Sequence, residues 1–360
     1  MATRLVLVGG FLGAGKTTLL LQAARLLTEQ GLRVGLVTND QGQGLVDTAL
    51  ADDHNIPVTE VAGGCFCCRF PDLLDSIREL QAKVNPDIII GEPVGSCTDL
   101  VATILEPLST HYPGQFELAP LTILRDHHRN VSTFPTTVSY LYDQQLAEAD
   151  IIILSKRDLL RPDQVQAQID ALSLRYPDAR VISLSSRTGE GLAEWLDLVR
   201  TANYVTKKTL DLDYTTYAEA EACLGWLNTK GTLVADQPFS PTDWIDQTFT
   251  RLEQALITQG ASIAHMKIHL TAADQRVRAK ASSTQIGTPL SWDQRPADAL
   301  VNQAEFTLNA RVGTDPYTLE SLVRQAVPQT STDMGIVCEL CQFECFSPLP
   351  PKPTFRLEVG

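Results

Sequence analysis

The chain has 360 residues, 44% of them hydrophobic, and a formal net charge of −14 at pH 7. That length predicts about two globular domains, each able to bury its own core, and no apolar run nears the ~20 residues of a membrane span. The negative balance argues against a general nucleic-acid binder, because a polyanion is repelled at long range unless a local basic patch intervenes.

Met1-Ala2-Thr3-Arg4 leads without a signal-peptide pattern into the apolar run Leu5-Val6-Leu7-Val8, which predicts a cytoplasmic protein. Directly after this run, Gly10-Phe11-Leu12-Gly13-Ala14-Gly15-Lys16-Thr17-Thr18 contains G-x-x-x-x-G-K-T and precedes a helical pattern. A strand feeding a glycine-rich loop that opens a helix aims backbone N–H groups and the helix dipole at phosphate oxygens. Gly10, Gly13, Ala14, Gly15 and Thr18 are expected to line a nucleoside triphosphate. Lys16 reaches the terminal phosphates, and Thr17 takes Mg²⁺.

A second strand over 32–38 ends in Asn39-Asp40-Gln41-Gly42-Gln43-Gly44, where Asp40 is the candidate second carboxylate for Mg²⁺ and Gln41 or Gln43 could orient water. A third strand over 56–61 leads into Gly63-Gly64-Cys65-Phe66-Cys67-Cys68. Three thiols within four residues suit a thiolate-binding ion such as Zn²⁺, while Co²⁺, Ni²⁺ and Cu⁺ are also compatible. Arg69 follows as a possible source of charge. The run over 87–90 ends in Gly91-Glu92-Pro93-Val94-Gly95, with Glu92 placed to hold Mg²⁺ through water and Gly95 to sense the γ-phosphate. Cys97 and Cys223 stand alone.

Further strands are predicted over 118–124, 151–154 and 180–184. After the first, His127 or His128, beside Asp126, is a candidate extra metal ligand. After the second comes Ser155-Lys156-Arg157-Asp158, like the guanine-reading N-K-x-D pattern with Ser for Asn: Asp158 would accept from guanine N1 and N2, and the Lys156 stem would cover the ring. Ser185 and Ser186, after the third, would complete the base pocket. Alternation of strands and helices over this half predicts an α/β domain with a mostly parallel sheet covered on both faces.

Residues 1–203 are thus expected to form the nucleotide-binding domain, 204–216 a polar linker and 217–360 a smaller α+β domain. In the latter, Ala220, Leu224 and Trp226 alternate as in a strand. Ser240-Pro241 and Asp315-Pro316 cap two helices, and period-two runs over 264–270, 277–281 and 306–312 predict an antiparallel sheet. His265, Lys267, His269, Arg276, Arg278 and Lys280 are expected on a solvated polar face. Cys338, Cys341 and Cys345 could share an ion only around a bend, because in a straight strand Cys338 faces away and the other two lie about 13 Å apart. Residues 348–353 form a proline-rich tail.

Together G-F-L-G-A-G-K-T-T at Gly10 to Thr18, G-C-x-C-C at Gly64 to Cys68, E-x-x-G at Glu92 to Gly95 and K-x-D at Lys156 to Asp158 resemble the CobW-type metallochaperone GTPases, a family similar to the nickel-handling GTPases of hydrogenase and urease maturation. The resemblance implies Cys65, Cys67 and Cys68 as metal ligands, and Gly13, Lys16, Thr17 and Asp158 as nucleotide contacts. It also implies GTP hydrolysis coupled to metal transfer to a client metalloprotein. Where that family usually reads N-E-x-G-E, this chain has Asn39-Asp40-Gln41-Gly42-Gln43. The residues also admit a GTP-dependent regulatory switch with metal- or redox-sensing thiols, or a P-loop kinase. They leave the metal, the client and the oligomeric state open, a homodimer among the options.

Overall fold

Every residue of β1, Thr3–Gly10, is buried, as expected of a strand covered on both faces. Its side chains alternate between two cores. Leu5 and Leu7 join one with Phe66, Phe70 and Ile104, while Val6 and Val8 join another with Leu19, Ile90 and Trp195. The computed structural model describes residues 2–40 (Asp40 through its backbone alone), 56–207 and 209–359.

Around β1 lie β2 (Val34–Asp40), β3 (Val58–Ala62), β4 (Ile88–Glu92), β5 (Phe116–Leu118), β6 (Thr122–Asp126), β7 (Ile151–Ser155) and β8 (Arg180–Ser183). The order is β3-β2-β4-β1-β6-β7-β8, with β5 also beside β1, and every pairing is parallel. The carboxyl ends of β1, β2, β4 and β7 therefore face one crevice, the usual ligand position of open α/β sheets. The bounds of β2, β3 and β8 differ from expectation by one or two residues, and two further runs differ in ways that matter for the site. The predicted strand over 118–124 is two short strands, since Pro120 lacks the N–H needed to continue the ladder, and β4 extends to Glu92.

Helices α1 (Lys16–Glu29), α2 (Phe70–Val84), α3 (Glu106–His111), α4 (Thr136–Ala147), α5 (Pro162–Arg175) and α6 (Leu192–Thr201) cover this sheet. In α2, Phe70, Leu73, Leu74, Ile77 and Leu80 form the buried stripe, and left-handed Asn85 ends the helix. A seventh helix, α7 (Tyr214–Ala222), replaces the expected strand through Ala220. Its Ala/Glu-rich sequence favours helix, Asp213 caps it by accepting from the Thr215 N–H, and Tyr217 and Ala220 join the core of Leu5 and Phe66.

The second sheet is antiparallel, in the order β12-β11-β10-β13-β9-β14. It comprises β9 (Gly225–Phe239), β10 (Ser262–Ala272), β11 (Arg278–Ser283), β12 (Ser291–Gln294), β13 (Val301–Gly313) and β14 (Val337–Phe346). Helices α8 (Pro241–Thr258) and α9 (Pro316–Asp333) start at Ser240 and Asp315, whose side chains accept from the N–H groups of Asp243 and Thr318. Beyond β14 the chain returns to the first sheet: Leu357 N–H donates to Ala102 O at 2.9 Å, and Arg356 pairs with buried Asp99 at 2.8 Å. Among the described residues no helix is long and apolar enough to cross a membrane.

Candidate nucleotide and metal sites

The loop after β1 needs its glycines. Gly10 has φ +128°, and a Cβ there would lie 2.5 Å from Leu124 O. Gly15, at φ +96°, leaves open space where a side chain would stand. Lys16 is buried, its Nζ donating to Gly10 O at 2.8 Å and lying 3.9 Å from Glu92 Oε1. Thr17 Oγ1 donates to the same Glu92 oxygen at 3.2 Å. A hydroxyl and a carboxylate at the mouth of a glycine cradle form an oxygen pair of the kind Mg²⁺ takes. The Asp40 side chain, Gln41 and Gln43 lie outside the described residues.

Gly95 packs on this loop, since a Cβ there would meet Leu12 Cδ2 at 2.8 Å. The cavity of about 130 Å³ above the loop is lined by Gly13, Gly15, Lys16, Thr17, Thr18, Asn39, Glu92, Gly95 and Lys156 of the first sheet's half. A second cavity, of about 390 Å³, is lined by Ala14, Lys156, Asp158, Ser185 and Ser186, and the two adjoin at Gly15, Thr18 and Lys156. Lys156 is left-handed at φ 58° and bonds Asp126 at 2.7 Å. Burial pushes the Asp126 carboxyl up, but Lys156 outweighs it and the net shift is downward. His127 and His128 stack on each other beside this pair.

Several expectations change here. His265, Lys267 and Lys280 belong to no solvated face: they line the phosphate cavity, with Arg311 of β13. The β12 segment Ser291–Gln294 roofs the second cavity, where Arg187 donates to Trp292 O at 3.2 Å. Arg69 points elsewhere, paired with Asp72 at the start of α2.

Behind the phosphate cavity, positive φ at Gly63 and Gly64 turns the chain out of β3, and buried Phe66 anchors the loop. The sulfur atoms of Cys65 and Cys67 lie 2.8 Å apart, Cys65 and Cys68 3.2 Å, and Cys67 and Cys68 3.9 Å. Thiolates about 2.3 Å from a tetrahedral ion stand roughly 3.8 Å apart, so a slight opening of this triad fits such an ion. Cys97 is not alone. It is buried beside Cys65 and Cys67, and burial, with Cys65 next, pushes its thiol well up. Contacts with the Cys67, Cys68 and Cys97 thiols hold Cys65 well below the ordinary thiol range, whereas Cys68 is pushed up to about 11, first by its contact with Cys65. Among the described residues, no ion-holding group of three His, Cys, Asp or Glu side chains forms besides this triad. Cys338, Cys341 and Cys345 are spread along β14, and His127 and His128 form no such group with Asp126.

Asn39 joins the two sites. From the end of β2 it lines the phosphate cavity, and its amide donates to Val61 O at 2.8 Å and Gly64 O at 2.7 Å while its oxygen accepts from Phe66 N–H at 2.8 Å. The sequence alone marked it only as a neighbour of Asp40. The signal for Cys97 was its place five residues after Glu92, on the loop that also carries Gly95.

Fold and cradle define a P-loop nucleotide-binding protein with a thiol cluster beside its phosphate site. Residues 4–182 match the family described as CobW/HypB/UreG, nucleotide-binding domain, and this part of the chain belongs to it as a CobW-type P-loop GTPase domain. The chain is 38% identical over 180 residues to the zinc chaperone YjiA of Escherichia coli, covering 48% of this chain and 55% of the relative. It is 30% identical over 174 residues to the zinc chaperone YeiR of the same organism, covering 46% and 50%. To the zinc-regulated GTPase metalloprotein activator 1 of Dictyostelium discoideum it is 27% identical over 264 residues, covering 64% and 52%. The chain spans about half the length of these curated relatives.

Proposed function

We propose that this chain hydrolyses GTP and uses the cycle to take up and release a transition metal, zinc first among the ions that suit thiolates, for transfer to a client metalloprotein. Residues 1–203 act as the GTPase domain and 217–360 as the second domain. The carrying observation is Asn39, which lines the phosphate cavity and holds the cysteine loop through three hydrogen bonds. A second link runs through one loop, from Glu92 at Thr17 through Gly95 on the P-loop to Cys97 against Cys65 and Cys67.

Phosphoryl transfer needs positioning and charge neutralisation more than covalent help. Lys16 and the N–H groups of the cradle bind the β- and γ-phosphates, while Thr17, Glu92 and Asp40 hold Mg²⁺, which neutralises charge on the phosphates when bound. Asp158, Lys156, Ser185 and Ser186 receive the base, Asp158 selecting guanine by accepting from its N1 and N2. Cys65, Cys67 and Cys68 supply the metal's sulfur donors, with buried Cys97 beside Cys65 and Cys67. Movement of Asn39 and the Glu92 loop on phosphate binding then changes the spacing of these sulfurs.

The test is metal stoichiometry and affinity of the full chain, with and without a non-hydrolysable GTP analogue and under reductant. Persistent Zn²⁺ binding altered by the analogue supports the reading. A Cys65→Ser/Cys67→Ser/Cys68→Ser variant that keeps unchanged stoichiometry in both conditions overturns it, as does a triad that forms a disulfide and takes no ion.

A further inference from the structure

Three strands of the second sheet present every second residue to the phosphate cavity: His265 and Lys267 on β10, Lys280 and Ser282 on β11, and Asn309 and Arg311 on β13. The register puts Lys267 opposite Ser282 and His269 opposite Lys280, so Lys267 and Lys280 are diagonal neighbours on one face. Lys280 is 5% exposed, its Nζ 3.0 Å from Asp293 Oδ2, and it lies where the two cavities adjoin. Arg311 is committed elsewhere, donating to Leu227 O at 2.9 Å and stacking over Trp226.

The walls of this cavity are rich in cations. Its described lining holds five cations, Lys16, Lys156, Lys267, Lys280 and Arg311, against two carboxylates, Glu92 and Asp293, in a chain of net charge −14. His265 is kept neutral by burial and by the nearby Lys267, Arg129, Lys16 and Lys156. Cations gathered on the walls of a cleft in this way raise the local potential and attract phosphates.

The geometry points to Lys267 and Lys280 as phosphate-contacting residues that close the triphosphate site from the face opposite the P-loop, so that the second domain supplies the assisting cations. Water oxygen attacks the γ-phosphorus and the bond to the β–γ bridging oxygen breaks. Its electron pair stays on GDP, where the two ammonium groups neutralise it, and the water proton passes to the released phosphate. This rests on the GTP reading, which a Lys16→Ala variant tests separately: if that variant binds GTPγS as well as the wild type, the reading itself fails.

The experiment uses the full chain with Lys267→Ala, Lys280→Ala and the double variant, and Lys280→Arg as the conservative control. GTPγS and GDP affinities are measured by calorimetry, and turnover by phosphate release. Each alanine variant is expected to lose about tenfold in GTPγS affinity or in kcat, with Arg restoring most of the Lys280 loss. Affinity and kcat within twofold of wild type for both alanine variants, at unchanged melting temperature, overturn the proposal. If the variants do not fold, mass-spectrometric acetylation of the wild type decides: GTPγS should protect Lys267 and Lys280, and no protection overturns the proposal equally.

Discussion

The backbone N–H of Lys352 donates to the sulfur of Cys68 at 3.1 Å, joining positions 284 residues apart. Two residues on, Thr354 N–H donates to Cys67 O at 2.8 Å, and Phe355 packs edge-on against Phe70. The proline-flanked tail therefore lies across the outer side of the cysteine loop. Lys352→Pro removes that N–H while keeping an extended backbone. That N–H favours the Cys68 thiolate, the form that is alkylated, so with about 1 kcal/mol lost from one hydrogen bond alkylation of Cys68 should slow about fivefold, read by mass spectrometry of single-hit labelling. An unchanged rate would mean that the tail does not act on this sulfur.

Asn39 is buried with three bonds to the backbone of the cysteine loop. Asn39→Ala leaves Val61 O, Gly64 O and Phe66 N–H without these partners, a cost of about 1–3 kcal/mol. Urea unfolding should show that loss. The difference in its Zn²⁺ affinity between GDP and a GTP analogue should also shrink, because one of the two links between cavity and sulfur is gone. A nucleotide effect equal to wild type would place the coupling in the Glu92-to-Cys97 loop alone.

Arg129 fastens the P-loop to the second sheet. Its guanidinium donates to Leu12 O at 2.6 Å, Ala264 O at 2.7 Å and Thr284 O at 2.7 Å, and lies over the Phe11 ring. Burial lowers its pKa, although nearby Asp126 opposes the shift. Arg129→Met keeps much of the stem's packing and removes the donors, so stability should fall by about 2–4 kcal/mol. Calorimetry should then resolve a separate transition for the second sheet. A single transition with little loss would show that apolar contacts suffice to hold the two sheets together.

What the residues disclosed beforehand was mostly local. The P-loop is eight consecutive residues after a strand, and the C-x-C-C run is four, so spacing alone groups them. Asn39, Cys97, Lys267 and Lys280 reach the same sites through tertiary contacts with partners tens to hundreds of residues away, which no periodicity encodes. The polar side chains of β10 and β11 alternate as on any half-exposed sheet, and only docking of that sheet on the P-loop distinguishes a binding wall from a wet face. Around Ala220 the Ala/Glu alternation satisfies period two and helix propensity together, and tertiary packing of Tyr217 selected the helix.

Glu148 is a buried carboxyl behind the Cys97 loop, accepting from Thr98 Oγ1 at 3.0 Å and Val101 N–H at 3.2 Å. Burial, with the nearby Asp99 charge, pushes it up to about 8 from its ordinary 4.5. Below pH 4.5 the folded and unfolded states both carry the proton and the group is neutral in the balance. As pH rises from 4.5 to 8 the unfolded chain releases the proton while the folded chain keeps it, so stability falls across that window and levels off above it. Glu148→Gln removes the titration: its one amide oxygen can accept from Val101 N–H while its NH2 donates to Thr98 Oγ1, whose hydroxyl turns to accept. At about 1.4 kcal/mol per pKa unit as an upper bound, the variant should gain on the order of 2–3 kcal/mol over wild type between pH 5 and pH 8. The measurement is urea unfolding at several pH values across the window. Parallel curves for the two proteins would show that Glu148 ionises alike in both states.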